Sequence, residues 1–111
     1  NSKRDWGHAQ DYVKAMWEMT QQKNPGDYVV GTGKQHSVDD FAKKAFAHVG
    51  LNYKDHIVID DNLKRPAEVD TLLGDYSKAK KVLNWEPEIS FDELVSGMVE
   101  SDLEYVTTYK Y

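Results

Sequence analysis

Asp11-Tyr12-Val13-Lys14-Ala15-Met16-Trp17-Glu18-Met19-Thr20-Gln21-Gln22, followed by the turn residues Asn24-Pro25-Gly26-Asp27 and then by Tyr28-Val29-Val30, decides the class of the fold. In the first run Tyr12, Met16 and Met19, together with Val13 and Trp17, recur at helical spacing and predict a core-facing amphipathic helix. The Pro-Gly pair marks a turn. The short run with β-branched residues behind it predicts a buried strand ending at Gly31-Thr32-Gly33.

Outward from this stretch the alternation continues. Ser37-Val38-Asp39-Asp40 places a hydroxyl and two acids where free helix amides and the positive dipole end favour them. Phe41, Ala42, Ala45, Phe46 and Val49 follow at helical spacing, and Gly50 supplies the stop. Ile57-Val58-Ile59 reads as a second strand, and Glu68-Val69-Asp70-Thr71-Leu72-Leu73, which alternates polar and apolar residues, as a third. Ser77 to Asn84 predicts a short helix with Ala79, Val82 and Leu83 inward and Asp75 as its cap. Ser90-Phe91-Asp92-Glu93 matches a capping box and opens a long amphipathic helix through Leu94, Val95, Met98, Val99, Leu103 and Val106. No repeat or low-complexity linker interrupts the chain, so residues 1–111 read as one unit of α/β class, about four helices with a few short strands.

The 111 residues allow one domain of ordinary size. A net charge of −5 counts against a broad nucleic-acid or anionic-membrane surface, but not against a small anion pocket built from one or two arginines. The chain has no cysteine, which excludes disulfides, thiolate zinc sites and a cysteine nucleophile and fits a reducing compartment. Uninterrupted apolar stretches are far shorter than the ~20 residues a membrane-spanning helix needs.

Several motifs suggest chemistry and then fail on context. His8, His36, His48 and His56 lack the i, i+4 pairing of a helical metal site, so no metal is expected. In Gly31-Thr32-Gly33-Lys34, Tyr28 and Gln35 stand where a phosphate loop needs Gly and Ser or Thr. His36 stands where the dinucleotide fingerprint needs its last Gly. Tyr76 and Lys80 have the spacing of a dehydrogenase acid/base pair but open a short, lysine-rich helix that offers no enclosed pocket. Asp39-Asp40 and Asp60-Asp61 are adjacent carboxylates, which diverge instead of sharing a substrate, and read as a cap and a turn.

Arg4 and Arg65 are the only arginines among fourteen Lys and Arg. A planar guanidinium grips phosphate oxygens as a fork, which lysine cannot, so two scarce arginines are candidates for a diphosphate clamp. Arg4 precedes the first helix, and Arg65 precedes Pro66, which biases it to extended backbone. Glu68 follows three residues later and shares a ligand with Arg65 only if the chain turns at Pro66. A surface salt bridge is the competing role for each arginine.

Four stretches in order, Arg4-Asp5-Trp6-Gly7-His8-Ala9-Gln10-Asp11-Tyr12-Val13, Thr32-Gly33-Lys34-Gln35-His36-Ser37-Val38, Arg65-Pro66-Ala67-Glu68-Val69-Asp70-Thr71-Leu72-Leu73-Gly74-Asp75 and Leu83-Asn84-Trp85-Glu86-Pro87, resemble the C-terminal part of the GDP-mannose 4,6-dehydratase family of extended short-chain dehydrogenases. The resemblance covers essentially the whole chain. It implies the C-terminal, substrate-binding part of a two-part cytoplasmic enzyme, an NADP-dependent hydro-lyase that makes GDP-4-dehydro-6-deoxy-mannose on the route to GDP-fucose. In such an enzyme the Rossmann part, the cofactor site and the catalytic set all lie upstream of the segment seen here, so this chain is expected to hold no catalytic or cofactor-binding residue and to be inactive alone. By the same resemblance Arg4 and Arg65 clamp the GDP diphosphate, and Glu68 accepts hydrogen bonds from the nucleotide ribose. The partners implied are GDP-mannose, the Rossmann part, and further copies in a homodimer or homotetramer; no nucleic acid and no membrane are expected. Between His56 and Arg65 the chain is shorter than in many members. The alternatives are the substrate domain of another nucleotide-sugar epimerase or reductase, and a non-enzymatic interaction module.

Overall fold

A computed structural model describes residues 2–65 and 70–109. The order is β1 (Lys3–Asp5), α1 (Ala9–Thr20), β2 (Gln35–Ser37), α2 (Val38–His48), two 3-10 turns at Tyr53–Asp55 and Asp61–Leu63, α3 (Ser77–Leu83) and α4 (Phe91–Tyr109). Strands β1 and β2 pair antiparallel, Arg4 opposite His36. On the other side of β1, Lys3 N–H donates to Asp70 O at 2.7 Å and Leu72 N–H to Lys3 O at 3.0 Å, a parallel bridge between Lys3 and Thr71. Four helices around a short sheet agree with the sequence reading of fold class.

Helix ends follow local chemistry. Ser37 Oγ accepts from Asp40 N–H at 3.0 Å while Asp40 receives Ser37 N–H at 3.3 Å, a closed capping box on α2. The predicted box on α4 is also closed, Glu93 N–H to Ser90 Oγ and Ser90 N–H to Glu93 Oε1, both at 3.1 Å. Asp75 receives both the amide and the hydroxyl of Ser77 at the start of α3. That helix ends on Asn84 at φ 54°, a left-handed conformation that asparagine tolerates better than most residues.

The core lies between α1 and α3. Ala15 and Ala79 have no exposed surface, so the two helices approach closely, and Leu83 and Trp85 close the layer. Tyr12 and Tyr76 rings pack on Trp85, the latter edge-on at 5.8 Å. The Trp85 indole N–H donates to Asp11 O at 2.9 Å, and the buried Asp11 carboxylate accepts Ile89 N–H at 3.0 Å, so the one buried acid among the described residues is satisfied. A second aromatic cluster joins β1, β2, α2 and α4: Trp6 stacks on Phe41 at 4.7 Å, and His36 on Phe91 at 3.9 Å.

Five readings need correction, the first being Val82, which is about half exposed on α3 while Ala79 and Leu83 face inward as expected. Tyr28–Val30 forms no ladder, and Ile57–Ile59 forms neither a strand nor a buried segment, with Val58 90% and Ile59 80% exposed. β-branched residues favour strands, but a strand exists only where a partner supplies hydrogen bonds, and among the described residues none reaches these runs. Among the described residues of the third run Thr71 alone bridges; Glu68 and Val69 lie outside the described residues. In α1 the buried stripe is narrower than its apolar pattern, because Tyr12, Ala15 and Met19 meet the core while Val13, Met16 and Trp17 stay exposed.

Candidate functional site

β1 carries Arg4 into a cleft of about 560 Å³ lined by Ser2, Arg4, Val38, Leu63, Lys64, Arg65 and Asp70. Arg4 and Arg65, far apart in sequence, therefore share one concave surface. The start of α2 is fixed to the cleft rim by Val38 N–H donating to Ser2 O at 3.2 Å, and Arg4 Nη1 donates to Lys3 O at 2.8 Å. The 3-10 turn Asp61–Leu63, capped by Asp60 accepting Asn62 N–H at 2.9 Å, delivers Leu63, Lys64 and Arg65 to the same cleft.

Among the described residues the charged lining consists of three cations, Arg4, Lys64 and Arg65, against one carboxylate, Asp70. That local excess of positive charge stands out in a chain of net charge −5. Lys64 also pairs with Asp61 at 2.9 Å, with both side chains largely exposed. Among the described residues the lining includes no imidazole, phenol or indole. Such a surface suits holding an anion more than moving a proton. Glu68, the third residue assigned by resemblance, lies outside the described residues.

The other motifs have structural roles. His8 caps α1 by accepting Gln10 N–H at 3.0 Å, His48 meets Glu100 at 3.1 Å across α2 and α4, and His56 stacks on Phe46. Asp39 receives the Tyr53 hydroxyl at 3.3 Å. Tyr76 is not solvated as its helix suggested but half-buried against Trp85, and Lys80 faces Glu86 at 3.6 Å.

Sequence reasoning missed the group beside Arg4. The Asp5 carboxylate accepts four donors: Thr32 N–H at 2.8 Å, Thr32 Oγ1 at 2.6 Å, Gly33 N–H at 3.2 Å and Gly74 N–H at 2.9 Å. Three separate segments thus meet on one side chain. Gly31 and Gly74 permit it, since a Cβ on Gly31 would stand 2.8 Å from Asp5 Oδ2 and 3.1 Å from Gly74 Cα. The only sequence signal was glycines next to short apolar runs, which mark close backbone approach. Tyr12 borders this knot, and burial, then the negative charges of Asp5 and Asp11, push its phenol above the usual tyrosine range.

A model of the family described as GDP-mannose 4,6 dehydratase matches residues 1–98. The chain is 55% identical to GDP-mannose 4,6 dehydratase 2 of Arabidopsis thaliana, over 91% of this chain and 27% of that protein. It is 45% identical to the human GDP-mannose 4,6 dehydratase, over 97% of this chain and 34% of that protein. The human alignment runs over 125 positions although this chain has 111 residues, so the human protein carries inserted residues within the matched region. The chain thus spans about a quarter to a third of the length of these relatives. Among solved structures, UDP-glucose 4-epimerase from Thermotoga maritima with UDP-glucose superposes with a TM-score of 0.84 at 27% identity, over 95% of this chain and 33% of that one. UDP-glucose 4-epimerase from Bifidobacterium longum with NAD+ and UDP shares the fold at a TM-score of 0.81 and 23% identity, over 94% of this chain and 31% of that one.

Proposed function

We infer that this chain, which belongs to the GDP-mannose 4,6 dehydratase family, is the portion of a cytoplasmic dehydratase that binds the nucleotide sugar GDP-mannose, with Arg4 and Arg65 holding the diphosphate. The observation that carries this reading is the convergence of the two arginines on one cationic cleft. A diphosphate presents several anionic oxygens, and two guanidinium forks from separate segments fix both its position and its orientation. Glu68 belongs to the same reading as acceptor for the ribose hydroxyls.

The described residues do not fit a dinucleotide phosphate. The glycine-bearing turn at Gly31-Thr32-Gly33 has its Thr32 and Gly33 amides already committed to Asp5, whose carboxylate would repel a phosphate placed there. The redox cofactor, NADP in this reading, therefore belongs to another part of the protein, and no step is assigned to it here. This chain's contribution is binding and orientation, which place the sugar for chemistry done elsewhere. The reading also entails a Rossmann part as neighbour and assembly into dimers or tetramers.

In the full-length protein, Arg65→Ala should weaken GDP-mannose binding, measured by calorimetry, by about 2–5 kcal/mol, as when one partner of a desolvated charge pair is truncated. Unchanged affinity removes Arg65 from the site. The fold shared with UDP-glucose 4-epimerases supplies the second arm: UDP-glucose binding as tightly as GDP-mannose would replace the dehydratase reading by that of a UDP-sugar enzyme.

A further inference from the structure

We propose that Asp5 is the positioning residue of the arginine cleft: its carboxylate locks the segments packed beside β1 in register, so that the Arg4 guanidinium is set before a diphosphate arrives. This rests on the reading of Arg4 and Arg65 as the clamp.

The connectivity carries it. Asp5 is the neighbour of Arg4 on β1, and adjacent strand residues project to opposite sides. Arg4 lines the cationic cleft, while Asp5 gathers the Thr32-Gly33 turn and Gly74. Gly74 ends the segment that runs beside β1 through Lys3–Asp70 and Leu72–Lys3, and Asp70 itself lines the cleft, five residues after Arg65. The bond to Gly74 therefore holds the segment that begins with Asp70 against the strand that bears Arg4. Thr32 fixes the remaining freedom, because its amide and hydroxyl both donate to Asp5 and its Oγ1 also accepts Lys34 N–H at 3.3 Å, just ahead of β2. A charged acceptor shared by four donors is stronger than neutral pairs, and it leaves no lone pair seeking solvent.

The test is a double-mutant cycle on the full-length protein, with GDP as the calorimetric probe. Asp5→Asn keeps the shape but loses the charge and turns a donor toward amide donors. It should weaken GDP binding about tenfold and raise the KM for GDP-mannose while kcat holds, since the arginines bind ground and transition state alike. Arg4→Ala should also weaken GDP binding. In the Arg4→Ala background, Asp5→Asn should add less than about twofold, because its effect passes through Arg4. Losses that multiply in the double variant, or an Asp5→Asn protein that binds GDP normally while Arg4→Ala does not, overturn the positioning role. Normal GDP binding by Arg4→Ala overturns the clamp reading itself. Should Asp5→Asn fail to fold, Thr32→Val removes the hydroxyl donor alone; a smaller GDP loss that vanishes in the Arg4→Ala background supports the proposal, and none overturns it.

Discussion

The block built on α1, α3 and Trp85 and the arm from Leu51 to Arg65 carry similar apolar residues and end in opposite states. In the block, Ala15, Ala79, Leu83 and Trp85 are buried, and among the described residues no buried side-chain nitrogen or oxygen lacks a partner. In the arm, Ile57, Val58, Ile59 and Leu63 are exposed, and two 3-10 turns are its only regular structure. Apolar residues become core only where another element lies within reach. The block provides two helices whose alanines let them touch, whereas α2 meets the arm at Tyr53 and His56 and leaves Val58 and Ile59 exposed. α4 shows both regimes in one helix: Phe91, Leu94 and Val95 are buried under α2, and from Met98 to Tyr109 most large apolar side chains are exposed.

Trp85→Ala strikes the block where it is densest and should have the largest effect, about 3–5 kcal/mol of stability by urea unfolding. It removes the ring that Tyr12 and Tyr76 pack on and leaves the Asp11 carbonyl without its indole donor. A loss below about 1 kcal/mol, the size of an ordinary surface change or less, would mean that this cluster is not the core.

The same contrast separates what the sequence disclosed from what it hid. Helices α2 and α4 were legible at their starts because a capping box is a local pattern: Ser37 with Asp40 and Ser90 with Glu93 meet within one turn. Strands were not. β1 and β2 have three residues each, too few for a period, while the apolar runs at 28–30 and 57–59 had the composition of strands without the partners. Of the candidate site, Arg4 and Arg65 were legible through scarcity and flanking residues, and the fold brings them to one cleft. Asp5 was not, because its role depends on amides from Thr32, Gly33 and Gly74 that only the folded chain assembles.

The caps predict an intermediate effect and a sign in pH. Ser37→Ala should cost about 0.5–2 kcal/mol, as the loss of an N-cap hydroxyl does. The Asp40 carboxyl is held below its usual range by the Ser37 backbone N–H and then by the Ser37 side chain. Because the folded-state value is lowered, the stabilisation is present above the ordinary value of 3.8 and is lost as pH falls through the lowered one. Glu93 behaves alike from an ordinary value of 4.5, again through the Ser90 backbone first. Asp40→Asn and Glu93→Gln should therefore flatten the acid limb of the unfolding profile while leaving the slope near neutrality unchanged. An acid limb that stays as steep in the double variant would place the acid sensitivity elsewhere.

The smallest effect belongs to the arm. Val58→Ser and Ile59→Ser replace side chains that are 90% and 80% exposed, so each should change stability by no more than about 0.5 kcal/mol, the range of surface substitutions. Reduced self-association by light scattering is the expected companion, since exposed branched residues attract apolar surfaces. A loss above about 1.5 kcal/mol from Val58→Ser would break the contrast, because a removed methyl costs that much only when its neighbours are close enough to leave a cavity. The arm would then be a buried strand after all, completed by an element beyond the described residues, and its β-branched composition would have been a sound guide to its state.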